Sequence, residues 1–243
     1  MVSSSLTKLV FFGCLLLLTF TDNLVAGKSG KVKLNLYYES LCPGCQEFIV
    51  DDLGKIFDYD LYTITDLKLF PFGNAELSDN LTVTCQHGEE ECKLNALEAC
   101  ALRTWPDQFD KCDGYGTQKS QYSFIRCVES DTKGWESCVK NSGREKAIND
   151  CYNGDLSRKL ILGYATKTKN LKPPHEYVPW VTLNGKPLDD SVQSTDDLVA
   201  QICNAYKGKT TLPKVCNSSA SMSKSPERKW KLQVSYANKA TNY

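Results

Sequence analysis

Residues 31–57 read KVKLNLYYESLCPGCQEFIVDDLGKIF. The first eight alternate, with Val32, Leu34 and Leu36 on one face, which is a strand signal. From Gln46 onward Phe48, Ile49, Leu53, Ile56 and Phe57 recur at helical spacing. The pair Cys42-Pro43-Gly44-Cys45 therefore falls where a strand turns into a helix, with Cys42 at or near the helix N-terminus. Asp60 to Phe70, rich in Leu, Tyr, Ile and Thr, reads as a second strand that Pro71 ends. Two strands flanking one helix predict a right-handed βαβ unit.

The position of the pair decides what it can do. A thiol must ionise before it attacks a disulfide. Unpaired N–H groups and the macrodipole at a helix N-terminus favour an anion there. Cys42 has that reason to ionise, and Cys45, one turn on, is placed to resolve a mixed disulfide at Cys42. Two alternatives stand beside this redox reading: a structural disulfide, or half of a structural zinc site. The zinc site wants a second close Cys or His pair, and the chain has two histidines and no second Cys-x-x-Cys. No metal and no cofactor are therefore expected. The strand–pair–helix context is that of a thioredoxin-like redox motif. In such folds a cis proline preceding a strand lies opposite the cysteines. Pro179 in Tyr177-Val178-Pro179-Trp180 stands where that proline belongs. Backbone groups beside it, at Val178, are then available to an extended substrate segment.

Working outward toward the start, Lys8 precedes an apolar run from Leu9 to Phe20 and a small-residue site at Leu24-Val25-Ala26. That is the pattern of a cleaved secretory leader, residues 1–26, and the run is short of the roughly 20 residues of a membrane span. Cys14 leaves with the leader, and the other eleven of the twelve cysteines then sit in an oxidising compartment, where disulfides are the rule. Sequons at Asn80 and Asn217 suit the same pathway. A formal net charge of zero gives no argument for nucleic acid or an anionic membrane as partner.

Toward the other end, about 73–170 holds most remaining cysteines among polar helical patterns such as Cys92 to Arg103 and Ser120 to Val128. This reads as a helical, disulfide-stapled insertion, longer than one crossover needs. Strand signals return in Glu176 to Leu183, with Asn184-Gly185 as a hairpin turn, before a helix from Asp196 to Tyr206. The domain is thus expected over 31–216. From 217 to 243 the chain turns Ser-, Lys- and Asn-rich apart from Trp230 and Val234, a tail expected to be flexible or removed. Outside the pair, the nine structural candidates are Cys85, Cys92, Cys100, Cys112, Cys127, Cys138, Cys151, Cys203 and Cys216. Their odd number leaves one free or paired between chains, so a disulfide-linked homodimer is one outcome. Cys203 with Cys216 is the preferred local pair.

A second motif narrows the reading. Cys85-Gln86-His87-Gly88 is followed by Glu91-Cys92, Asn95 and Cys100. This resembles, position for position, the signature of the gamma-interferon-inducible lysosomal thiol reductases, and with the CPGC pair and the VPW strand the resemblance spans roughly Val32 to Cys216. It implies an α/β, thioredoxin-like fold with a helical, disulfide-rich insertion. It also implies a soluble glycoprotein that reduces protein disulfides in an acidic degradative compartment, a lysosome or vacuole, or after secretion. Cys42 would attack and Cys45 resolve, and a small thiol would donate the electrons. His87 is expected to be structural, held between Cys85 and Cys92, with a thiolate-stabilising role as the alternative; His175 is a weaker candidate for that role. Two other functions remain open: a disulfide oxidase or isomerase of the endoplasmic reticulum, against which stands the lack of a Lys-Asp-Glu-Leu-type ending, and a non-catalytic cysteine-rich binding protein.

Overall fold

The computed structural model describes residues 30–105, 114–188, 195–217 and 234–236. The expected leader, Cys112 and most of the tail lie outside them. The centre is a four-stranded sheet ordered β2-β1-β6-β7, built from β1 (Val32–Tyr38), β2 (Thr65–Pro71), β6 (Trp180–Leu183) and β7 (Lys186–Pro187). β1 pairs in parallel with β2, from Val32↔Thr65 to Tyr38↔Pro71, and antiparallel with β6. The helix over 43–58, α1, is the β1-to-β2 crossover that a parallel pair requires.

The alternation read in β1 is real: Val32, Leu34 and Leu36 are buried while Lys33 is exposed. It gives way to continuous burial at Tyr37 and Tyr38, where the strand enters the interior beneath the cysteines. The second strand differs from the expectation. It begins at Thr65, because Leu61–Thr63 form a 3-10 turn after Asp60 in the left-handed region (φ 57°). It also includes Pro71, whose missing N–H is tolerated at the strand's last residue.

Helix α1 runs as an α-helical turn Pro43–Glu47, a wider π-helical stretch Phe48–Asp52 and α-helical Leu53–Asp58. The buried Tyr122 hydroxyl donates to the Ile49 carbonyl at 3.0 Å, satisfying a group in the widened turn. The Tyr122 ring stacks on Phe57 with centroids 4.2 Å apart. Phe48, Ile49, Leu53 and Ile56 are all fully buried, joining the core with Leu34, Leu36 and Ile125.

The middle of the chain is helical: α2 (Glu89–Thr104), α3 (Gly114–Ser130), α4 (Trp135–Asn141), α5 (Glu145–Tyr152) and α6 (Asp155–Lys169). Cys100–Cys151 ties α2 to α5, and Cys127–Cys138 ties α3 to α4. Helix α7 (Thr195–Ala205) is held to the segment after it by Cys203–Cys216. Short ladders complete the fold: β3 (Glu76–Leu77) with β4 (Val83–Thr84), and β5 (Tyr177–Val178) with β8 (Ser235–Tyr236). β8 falls in the stretch expected to be a flexible or removed tail, and its two residues pair with β5. Among the described residues no helix is long and apolar enough to cross a membrane.

Candidate active site

The last residues of β1 deliver the chain to Cys42, which is the N-cap of α1, with φ −78° and ψ 114°. Pro43 follows at the first helical position, where its missing N–H costs nothing. The Cys42 sulfur accepts the Cys45 N–H at 3.2 Å, as an N-cap side chain should. The two sulfurs are unbonded, 2.7 Å apart, and both side chains are buried. Cys42 Sγ also lies 3.8 Å from the carbonyl oxygen of Val178, so β5 faces the pair. The Val178–Pro179 peptide is cis.

The two thiols are treated unequally. The Cys42 pKa is lowered to about 7, first by the hydrogen bond from the Cys45 thiol; burial opposes this, and the Ser235 hydroxyl, the Cys45 N–H and the charge of His87 add to it. Cys45 is held well above the ordinary thiol range, first by burial and then by its bond to Cys42. One thiol is made easier to ionise and the other keeps its proton more firmly.

The loop between β1 and the pair is gripped by one face of α2. Glu91, Asn95 and Glu98, at i, i+4 and i+7, all point at it and are all buried. Glu91 Oε2 accepts the Leu41 N–H at 3.3 Å. Asn95 Oδ1 accepts both the Ser40 N–H (3.0 Å) and the Ser40 hydroxyl (2.7 Å). Glu98 Oε2 accepts the Tyr38 hydroxyl at 2.7 Å. Cys85–Cys92 staples the start of the same helix and Cys100 anchors it further along. The second motif is therefore the frame of the active-site loop: two cysteine staples and two polar grips, spaced by the turn of one helix.

His87 lies closer to the chemistry than its place in the sequence suggests. Its Nδ1 is 2.6 Å from Glu91 Oε2 and 3.5 Å from Glu39 Oε1, and its N–H donates to Glu91 Oε1 at 3.1 Å. These bonds tie it to the first turn of α2, and its charge also reaches Cys42. The hydrogen bond to Glu91 raises its pKa against the effect of burial. His175 has its ring pushed downward by burial and does not share this position. Glu39, His87 and Glu91 bring donor atoms within 4.8 Å of one another, close enough for a cation. The hydrogen bonds already made by Glu91 and by His87 Nδ1 fit an ion-paired imidazolium equally well.

Sequence reasoning missed the buried carboxyls. Glu39 is fully buried, and its Oε2 accepts the Asn74 N–H at 2.9 Å. Burial first, then the charge of Glu91, raises its pKa to about 9. Gly73 makes that approach feasible: at φ +54° a Cβ there would meet Glu39 Oε2 at 2.6 Å. Deeper in, burial raises Glu98 to about 7 and lifts Glu129 well above the carboxylate range, Glu98's charge adding to the latter. The only sequence signal for these groups was their acidic residues within otherwise apolar or cysteine-bearing faces.

Comparison with known proteins supplies the remaining context. The family model described as Gamma interferon inducible lysosomal thiol reductase (GILT) matches residues 33–142. The gamma-interferon-responsive lysosomal thiol protein of Arabidopsis thaliana is 96% identical over 243 residues, covering 100% of both chains. The gamma-interferon-inducible lysosomal thiol reductase of Carassius auratus is 40% identical over 186 residues, 73% of this chain and 69% of that protein. Among solved structures, reduced DsbA from Mycobacterium tuberculosis superposes with a TM-score of 0.50 at 14% identity, covering 79% of this chain and 89% of that one, a likeness of fold.

Proposed function

The chain belongs to the gamma interferon inducible lysosomal thiol reductase family, and on that premise we propose that it reduces protein disulfides in an acidic compartment, with Cys42 as nucleophile and Cys45 as resolving thiol. The observation that carries the reading is the opposite treatment of two neighbouring thiols: Cys42 drawn down to about 7 and Cys45 pushed up.

The Cys42 thiolate attacks one sulfur of a substrate disulfide. A Cys42–substrate disulfide forms, and the other substrate sulfur leaves as a thiolate that takes a proton. Cys45 then gives up its proton and attacks the Cys42 sulfur, closing the Cys42–Cys45 disulfide and releasing the second substrate thiol. Two electrons pass from the dithiol to the substrate, and a small-thiol donor returns the pair to its reduced form. The high pKa of Cys45 delays its attack until Cys42 is engaged, when the repelling thiolate is gone.

Low pH suits this site. At pH 5 a thiol of pKa near 7 is ionised in about one molecule in a hundred, against about one in ten thousand for a pKa of 9. His87, raised, carries its positive charge there, and Glu39, with a pKa of about 9, is neutral and does not repel the thiolate. The sequon residues Asn80 and Asn217 are exposed, which suits glycans acquired on the way to such a compartment. Val178 and Pro179 are the backbone against which the substrate would lie.

Turnover of a disulfide-bonded protein by the purified enzyme, with a dithiol donor at pH 5 and pH 7.5, tests the proposal. Cys42→Ser is expected to lower the rate at both values by about 1,000-fold or more. Activity that survives the substitution would remove Cys42 from the mechanism; activity confined to pH 7.5 would remove the acidic setting.

A further inference from the structure

The tail segment Val234–Tyr236 lies beside β5, the strand that faces Cys42, and is held there by β5 and two side-chain amides. It pairs antiparallel with β5, Tyr177↔Tyr236 and Val178↔Ser235. The Asn74 side-chain amide donates to the Ser235 carbonyl at 2.8 Å, and the Gln86 amide donates to the Tyr236 carbonyl at 2.9 Å. Asn74 also donates to Gln86 Oε1 at 2.8 Å, so the two amides orient each other. The Tyr236 ring meets Tyr177 edge-on at 6.2 Å. Ser235 is paired with Val178, whose carbonyl oxygen lies 3.8 Å from Cys42 Sγ.

We infer that Asn74, Gln86 and the edge of Tyr177–Val178 that β8 pairs with form a clamp for an extended polypeptide backbone laid beside Cys42, and that the chain's own Val234–Tyr236 is its resident occupant. This rests on the reading of Cys42 as the nucleophile.

The chemistry of the clamp identifies its ligand class. Both amide contacts to the tail go to main-chain carbonyls, and the rest of the binding is a β ladder, so any extended peptide offers the same acceptors. The two amides are neutral, so they hold the backbone without charge selection. Side-chain selection falls to the residue at position 235, the one paired with Val178 beside Cys42. A substrate would place its disulfide sulfur there. The tail places a serine, whose hydroxyl cannot be displaced in thiol–disulfide exchange, so it occupies the site without being consumed. Cys42 is fully buried beneath this arrangement, although a nucleophile for protein disulfides has to be reached. Removal of the tail is therefore the step that opens the clamp, and Gln86, within the CQHG motif, is there to hold substrate backbone.

The register is testable in the full chain. Ser235→Cys is combined with Cys45→Ser, the protein is treated with oxidised glutathione, and disulfides are mapped by proteolysis and mass spectrometry, with Val234→Cys and Tyr236→Cys as neighbours in the same background. Cys42 is expected to be found joined to the cysteine at 235 at least ten times more often than to one at 234 or 236, whose side chains point to the other face. If Cys42 takes up glutathione but shows no preference for 235, the clamp is overturned and the nucleophile stands. If Cys42 reacts with neither, both are overturned. In parallel, a chain ending at Cys216 is expected to reduce a protein disulfide at least fivefold faster than the full chain. A synthetic peptide of residues 230–240 should restore the slower rate by competing with substrate, raising KM. Equal rates with and without the tail would contradict its occupancy.

Discussion

The strand–loop–helix unit at 32–58 holds both thiols, and helix α2, fifty to sixty residues further along the chain, holds the loop that carries them. The first unit is built like an ordinary core: alternating apolar residues, an N-capped helix and a neutral apolar seam around Leu34, Phe48 and Leu53. α2 is the reverse, since its inward face at Glu91, Asn95 and Glu98 is polar and fully enclosed. Burying carboxyls costs free energy unless they are bonded or neutral. Here most of that cost is offset by bonds to the loop and by protonation. The difference teaches that the reactive unit needs only a generic fold, whereas its exact placement and its working pH reside in the partner helix.

The strongest way to press on that comparison is pH. Glu39, Glu98 and Glu129 all have folded-state pKa values raised above the ordinary 4.5. A raised pKa means that the folded state binds more protons, so the stabilisation is complete below the unfolded value and is lost as pH rises through the folded one. For Glu98 that window runs from about 4.5 to about 7, and for Glu39 from about 4.5 to about 9. Cys42, lowered, works in the opposite sense, but only above about 7. The melting temperature is therefore expected to fall by about 5–10 °C between pH 5 and pH 7 in scanning calorimetry. A melting temperature that is flat or rises over that interval would mean that the carboxyls are not buried as described.

Cutting one grip is the next test. Asn95→Ala leaves the buried Ser40 N–H without its acceptor and the Ser40 hydroxyl with only its longer contact to Glu98 Oε2, at 3.3 Å. A loss of about 1–3 kcal/mol in denaturant unfolding is expected, with a fall in turnover as the Cys42 loop loosens. Turnover that holds steady while stability falls would show that α2 supports the fold without positioning the loop. The smallest effect is expected at His87. His87→Ala removes one positive charge that favours the thiolate, so the pH at which Cys42 alkylates at half its maximal rate should rise by less than about one unit. A downward move would reverse the electrostatic role given to His87.

Much of this was legible in the sequence, for reasons that differ between the two regions. The β1 alternation, the CPGC junction, the Asn184-Gly185 hairpin and the proline at 179 are local signals, and each stands where its pattern placed it. The polar helical patterns read at Cys92 to Arg103 and Ser120 to Val128 fall within α2 and α3. What was not legible depended on contacts distant in sequence. Nothing near Glu39 announces that Gly73 and Asn74 will close over it, and the polar tail gave no hint that Ser235 pairs with Val178, 57 positions earlier. The sequence left His87 between a structural and a thiolate-stabilising role, because its reach toward Cys42 depends on how α2 packs against β1. The strand boundary at Thr65 was misjudged because the Leu61–Thr63 turn is as apolar as a strand.

The central claim is that one thiol of the pair is made far easier to ionise than the other. It is tested most directly by alkylating the reduced protein with iodoacetamide across pH 4–10 and reading the modified cysteine by mass spectrometry. The account predicts that Cys42 reacts first, with a midpoint near its pKa of about 7, while Cys45 stays unmodified through the same range. A Cys42 midpoint at or above 9, or Cys45 modified before Cys42, would contradict it.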